Sequence, residues 1–189
     1  MNLKMGHTLP TEQVTNFNQA VFMLKLYLVR HAEAEQSAID FERTLTPHGE
    51  EEALCMGRYL KSLDVQPDRI LCSPAIRALT TAQIITQQLE YSANTVHTDP
   101  SLYNADLDTL LLTLGHLGKT PSVLLVAHNP GVTKLAAYLV DTLTPPLPTC
   151  ALCMIELPAD RWKSIAAHSG KMIEYTNPTL LSEPQSEHN

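Results

Sequence analysis

At 189 residues, 44% of them hydrophobic, the chain is long enough for one sizeable α/β domain, short for two, and too apolar for global disorder. Its net charge of -7 argues against broad, nonspecific nucleic-acid binding, which rests on phosphate neutralisation, but leaves room for a small basic pocket. No apolar run reaches the about 20 residues of a membrane helix, so no membrane association is expected.

The opening stretch "MNLKMGHTLPTEQVTNFNQAVF" lacks the basic start and apolar run of a secretory signal. Residues 1–22 are expected to form an irregular extension, 23–175 the domain, and the polar, proline-broken 176–189 a surface or mobile tail. Within the domain, Lys25 to Val29 reads as a strand. Pro47 to Leu63 reads as a helix, with Ala53, Met56, Leu60 and Leu63 on one stripe. A short strand over 69–73 leads into a helix from Pro74 to Leu89, and "TVHT" reads as a third strand before a leucine-rich helix from Leu107 to Leu117. "SVLLVAH" is continuously apolar, as a strand covered on both faces should be, and Pro130 to Val140 follows as a helix. "CALCMIEL" and "RWKSIAAH", either side of "PAD", read as two late strands in a hairpin, with Trp162 packed in it. The Pro-rich 142–148 reads as a surface loop. Strand–helix alternation of this kind predicts a three-layer α/β/α sandwich with a mostly parallel sheet.

The four cysteines do not form a metal or disulfide framework. Cys150 and Cys153 sit three apart in a strand-like run, where side chains point to opposite faces, and Cys55 and Cys72 have no zinc-ligand spacing. All four read as structural thiols, which fits a reducing, cytoplasmic location.

Three strand-to-helix junctions carry the chemistry. The first strand ends on Arg30-His31. In "CSPAIRALTTA", Ser73 is a natural N-cap and Pro74 a natural first helical residue, which puts Arg77 in the first turn; in "AHNPG", His128 precedes the capping Asn129 and Pro130. A cation in a first turn opposes the helix dipole by some tenths of a kcal/mol, a sign that a nearby anion would reverse. Taken singly, His128 reads as a structural histidine and Arg77 as a surface cation. In an open α/β sheet, however, ligands gather at the carboxyl ends of the strands, and Arg30, His31, Arg77 and His128 converge there on what suits a phosphoryl group.

"LYLVRHAEAE", "RTLTPHGEEEA", "ILCSPAIRALTTA" and "LLVAHNPG", in that order, resemble the histidine phosphatase superfamily, the phosphoglycerate mutase-like fold, over roughly residues 23–157. Within it the likeness is to the small SixA-type phosphohistidine phosphatases. The resemblance implies a hydrolase in which His31 attacks phosphorus and water hydrolyses the resulting phosphohistidine. It further implies that Arg30, Arg77 and His128 hold the phosphoryl oxygens, and that Arg43 and Asn104 contact substrate near the pocket. No metal and no other cofactor is implied, and the sequence offers no acidic cluster to bind a metal.

The chain departs from the superfamily in two places. Ala32 follows the histidine where most members have glycine, a replacement SixA-like members share. Asn104 aligns with the position at which many members carry a glutamate as general acid, and asparagine cannot donate and regain a proton as a carboxylic acid does. Asp106 and Asp108 are nearby substitutes but also suit a helix start, and Glu33 and Glu35 suit loop orientation or solvent. His48 is expected to face solvent; His97, His116 and His168 have no motif context.

An alkoxide is a poor leaving group and needs a proton from the enzyme, whereas imidazole protonates easily near neutral pH. The expected function is therefore a phosphatase acting on protein phosphohistidine, on a phosphotransfer domain of a signalling or sugar-uptake relay. A small-molecule phosphomonoesterase using the same His31 chemistry and a non-catalytic phosphate- or phosphopeptide-binding module are the alternatives.

Overall fold

A computed structural model of the chain describes residues 22–141 and 146–183. Six strands, β1 (Leu24–Arg30), β2 (Arg69–Cys72), β3 (Val96–Thr98), β4 (Ser122–Ala127), β5 (Leu152–Leu157) and β6 (Lys171–Thr176), form one sheet in the order β3-β2-β4-β1-β5-β6. The first four in that order run parallel, and β5 and β6 are antiparallel to their neighbours.

Helices α1 (Pro47–Ser62), α2 (Ile76–Gln88), α3 (Leu107–Gly115), α4 (Gly131–Leu139) and the short α5 (Pro178–Ser182) complete the fold. The period of two along the central strands sorts their side chains between two cores. Leu24, Leu26 and Leu28 of β1 join Val123 and Leu125 of β4 under α3 and α4; Tyr27, Val29, Leu124 and Val126 face α1 and α2. This is the three-layer sandwich, and every residue of β4 is buried, which explains its unbroken apolar sequence.

The late part of the chain differs from expectation. "RWKSIAAH" is not a strand: Trp162–Ser164 forms a 3-10 turn, and the partner of β5 is β6, ten residues further on. Trp162 is fully buried against the α3 side of the core, with its indole N–H donating to the Thr120 carbonyl at 2.8 Å. That single anchor, not a strand register, accounts for the apolar signal there. The fold also runs past residue 175: Thr176 closes β6 and is buried, and Leu181 of α5 packs against the α1–α2 core. The expected extension over 1–22 lies, apart from Phe22, outside the described residues, as do residues 142–145 of the expected surface loop and 184–189 of the tail. Leu147, in that same loop, is fully buried rather than at the surface.

All four cysteines are free thiols. Cys150 precedes β5 in a turn, yet it and Cys153 do fall in opposite cores. Burial pushes the Cys72 and Cys153 thiols up to about 12 and Cys150 well above its ordinary value, so these three are inert.

Candidate active site

Parallel pairing places the strand ends side by side. Arg30 is opposite Ala127 in the β1–β4 register, the His31 amide donates to the Ala127 carbonyl at 3.0 Å, and the Ser73 amide donates to the Val126 carbonyl at 3.0 Å. The residues that follow β1, β2 and β4 therefore emerge together at one edge of the sheet. Arg30, His31, Arg77 and His128 line a single cleft there of about 420 Å³, with Arg43 and Asn104 at its sides.

His31 is buried at 7% exposure and held by both ring nitrogens. Its Nδ1 donates to the Ala32 carbonyl at 2.7 Å, which leaves the lone pair on Nε2, where the Arg77 Nε–H approaches to 3.3 Å. Burial pushes its pKa down to about 4, helped by Arg77, Arg30 and Arg43 and opposed by the Ala32 hydrogen bond. The ring is neutral at pH 7, and its Nε2 lone pair, met by the Arg77 Nε–H, belongs to a residue that lines the cleft. The loop carrying it is tied to α2: the Ala32 amide donates to Thr81 Oγ1, whose hydroxyl donates to the Arg77 carbonyl.

His128 lies with its ring centroid 5.0 Å from that of His31. Its Nε2 shares a 2.7 Å hydrogen bond with Ser73 Oγ, and its buried Nδ1 has no partner among the described residues. Burial, then the proximity of His31 and Arg77, lowers its pKa to about 3. Ser73 Oγ thus serves the histidine and also accepts the Ala75 amide at 3.3 Å just ahead of α2, which begins at Ile76 with Arg77 as its second residue. On the opposite wall, Arg30 Nη1 and Asn129 Nδ2 both donate to the Leu147 carbonyl, at 2.7 and 2.8 Å. Thr133 closes that ring, donating to Asn129 Oδ1 and accepting from the Leu147 amide. Asn129 therefore braces the cleft wall, and α4 starts at Gly131.

The anion that Arg77 needs is supplied by the chain itself. Arg77 Nη2 donates to Asp40 Oδ2 at 2.9 Å and Nη1 to the Asp40 carbonyl at 2.6 Å. Tyr103 donates its hydroxyl to the same Oδ2 at 2.8 Å, and Arg43 Nη1 reaches Oδ1 at 3.2 Å. The Tyr103 hydrogen bond first, then those of Arg77 and Arg43, lower the Asp40 pKa to about 2. Asp40 lies in an exposed turn with no local signal in the sequence; only the tertiary contact to a helix 37 positions on shows its place.

Glu52 was also unmarked by sequence, although it sits beside the α1 stripe. It is buried at 7% exposure, and its carboxylate accepts the Glu33 amide and the Thr149 hydroxyl, each at 2.7 Å. A carboxylate on an apolar helix face was the signal that could have revealed it.

The remaining candidates separate clearly. Arg43 lines the cleft, and its guanidinium also staples the loop behind the Arg-His pair, donating to the Glu35 and Ala34 carbonyls. Asn104 is exposed at the cleft with a left-handed φ of 51°, a conformation asparagine tolerates. Asp106 caps α3 by accepting the Thr109 amide, and neither it nor Asp108 lines the cleft. Glu33 does line it, and accepts a hydrogen bond from the Thr46 hydroxyl that caps α1. His48 is largely in solvent, 3.9 Å from Glu52.

A neutral histidine at the end of the first strand of such a sheet, among two arginines and a second histidine, belongs to a recognisable class. Residues 26–111 match the model of the histidine phosphatase superfamily, branch 1. The chain is 31% identical over 143 residues to the phosphohistidine phosphatase SixA of Escherichia coli (strain K12), a match spanning 71% of this chain and 86% of that protein. The chain belongs to the histidine phosphatase superfamily. Within it, the chain resembles solved SixA proteins: the protein histidine phosphatase SixA complexed with tungstate superposes with a TM-score of 0.71 at 28% identity, over 82% of this chain and 98% of that one. A mycobacterial glucosyl-3-phosphoglycerate phosphatase shares the fold, with a TM-score of 0.61 at 14% identity over 80% of this chain and 97% of its own.

Proposed function

We propose that the protein is a phosphatase that takes a phosphoryl group from protein phosphohistidine onto His31 Nε2 and releases it to water. In the first step the Nε2 lone pair attacks phosphorus and the substrate P–N bond breaks, its electron pair returning to the departing imidazole, which takes a proton from solvent. In the second step water attacks the phosphorus on His31, the P–Nε2 bond breaks, and inorganic phosphate leaves. Arg30 and Arg77 offset the charge on the phosphoryl oxygens, and His128, which lines the same cleft, completes the site beside His31.

The observation that carries the choice of substrate class is the absence of a proton donor suited to an alkoxide among the residues lining the cleft. Its two carboxylates are Glu33 and Asp40: the first accepts a hydroxyl hydrogen bond, and the second is held ionised, with a pKa of about 2. A leaving imidazole does not need such a donor. Likeness to SixA proteins supports the same reading.

The test is phosphate release by wild type and His31→Ala from a histidine-phosphorylated phosphotransfer domain and from an alkyl phosphate, side by side. Release from the phosphohistidine protein alone, lost in the variant, is the expected result. Comparable release from the alkyl ester would overturn the substrate assignment in favour of a small-molecule phosphatase.

A further inference from the structure

Asp40 lies outside every motif of the sequence, yet four donors from three separate segments converge on it. Two come from Arg77 of α2, one from Arg43 and one from Tyr103. The contact with Arg77 uses both the carboxylate and the main-chain carbonyl of Asp40, so it is a built-in feature of the 3-10 turn Asp40–Glu42 and not one side-chain rotamer. The turn is further pinned by Phe41, which meets the Tyr103 ring edge-on at 5.3 Å; Tyr103 in turn stands at 88° to the His128 ring, 5.9 Å away.

The geometry has a directional consequence. A guanidinium presents five N–H donors in a rigid plane. Asp40 takes one from each terminal nitrogen, and the Nε–H is the one directed at His31 Nε2. Rotation of the Arg77 head group would break both contacts with Asp40. From these contacts we infer that Asp40, braced by Tyr103, is a positioning residue: it fixes the Arg77 plane so that the Nε edge meets the phosphoryl group as it forms its bond to His31. This rests on the reading of His31 as the acceptor of the phosphoryl group. Asp40 itself touches neither phosphorus nor the leaving group.

The experiment uses the full-length chain as wild type, Asp40→Ala, Asp40→Asn and Tyr103→Phe. It measures kcat and KM on a phosphohistidine protein, and binding of orthovanadate, an anion that adopts the five-coordinate geometry of phosphoryl transfer. A mispositioned clamp weakens the transition state more than the ground state, so Asp40→Ala should lower kcat about ten- to hundredfold with little change in KM, and weaken vanadate in proportion. Tyr103→Phe should shift both in the same direction by less, and Asp40→Asn, which keeps an acceptor oxygen for Nη2, should recover most of the loss. Wild-type vanadate affinity in Asp40→Ala, or tighter binding as expected of a carboxylate that merely competes with anions, would overturn the inference. Should wild type prove inactive on phosphohistidine, the functional reading fails while the vanadate comparison still decides the role of Asp40.

Discussion

Gly49 in the first turn of α1 lies against the backbone of Glu33, two residues beyond His31. A methyl group added there would overlap the Glu33 carbonyl oxygen and lie 2.9 Å from its carbon and 3.0 Å from its amide nitrogen, where ordinary contact begins at 3.4 Å. The carbon contact alone demands a retreat of about half an ångström, and the oxygen more. Two effects oppose each other in Gly49→Ala. Helix propensity favours alanine by about 1 kcal/mol, whereas overpacking against a backbone costs about 1–3 kcal/mol. Glu33 has little freedom to yield: its carbonyl accepts the Thr46 amide and its own amide is held by Glu52. The packing cost should therefore win, with a net loss of about 1–2 kcal/mol and a fall in Tm of about 2–8 °C. Displacing the loop by a fraction of an ångström should also cut kcat/KM by about tenfold or more, since misplacement by about 1 Å can cost a hundredfold. Thermal unfolding and phosphatase kinetics on the same preparation measure both. A variant more stable than wild type with full activity would show that the α1–loop contact does not set the position of His31.

Four further outcomes follow from the site and core. His31 and His128 have folded-state pKa values below the ordinary 6.5, about 4 and about 3, so below pH 6.5 the unfolded chain binds protons that the folded chain refuses. Stability should fall as pH drops through about 6.5 and level off for each histidine only below its folded value; denaturant titrations should show a smaller loss between about pH 7 and about pH 4.5 in His31→Ala. For the same reason the acid limb of kcat/KM should lie near 4, and a limb at 6.5 would contradict the proposed role of a buried His31. Ser73→Ala removes the only hydrogen-bond partner of the His128 ring among the described residues, and should cost about 1–3 kcal/mol and lower kcat, checked by urea unfolding and kinetics. Trp162→Ala, far from the cleft but fully buried, should cost about 3–5 kcal/mol while activity per folded molecule is retained.

The parts of the fold legible in the sequence are those where one physical rule dominates. β1 from Leu26 to Val29 and β4 are buried on both faces and read as apolar runs, and Arg30, His31 and His128 fall at strand ends, with Arg77 in the helix turn after β2, that parallel pairing brings together. β6 was hidden because it is an edge strand with only Thr176 buried, so it shows no clean alternation, while the buried Trp162 gave its neighbourhood a false strand signal. Ser73 and Asn129 satisfied helix-start rules locally, yet α2 and α4 begin further on; the Ser73 hydroxyl accepts the Ala75 amide but also bonds His128, and Asn129 turns to Leu147 and Thr133. The unfavourable place of Arg77 in a first turn did announce an anion, but not that Asp40 would supply one already in the free protein. An exposed acid in a turn carries no pattern; its meaning lies entirely in a contact between distant segments.

The central claim is that phosphate passes through His31. Rapid quenching of wild type with an isotopically labelled phosphohistidine protein, followed by digestion and mass spectrometry, tests it most directly. The expected result is a burst of label on the peptide carrying His31, stable to alkali and released by acid, that decays to inorganic phosphate and is absent in His31→Ala. Release of labelled phosphate in a single step, with no labelled enzyme at any time and with turnover retained in His31→Ala, would contradict it.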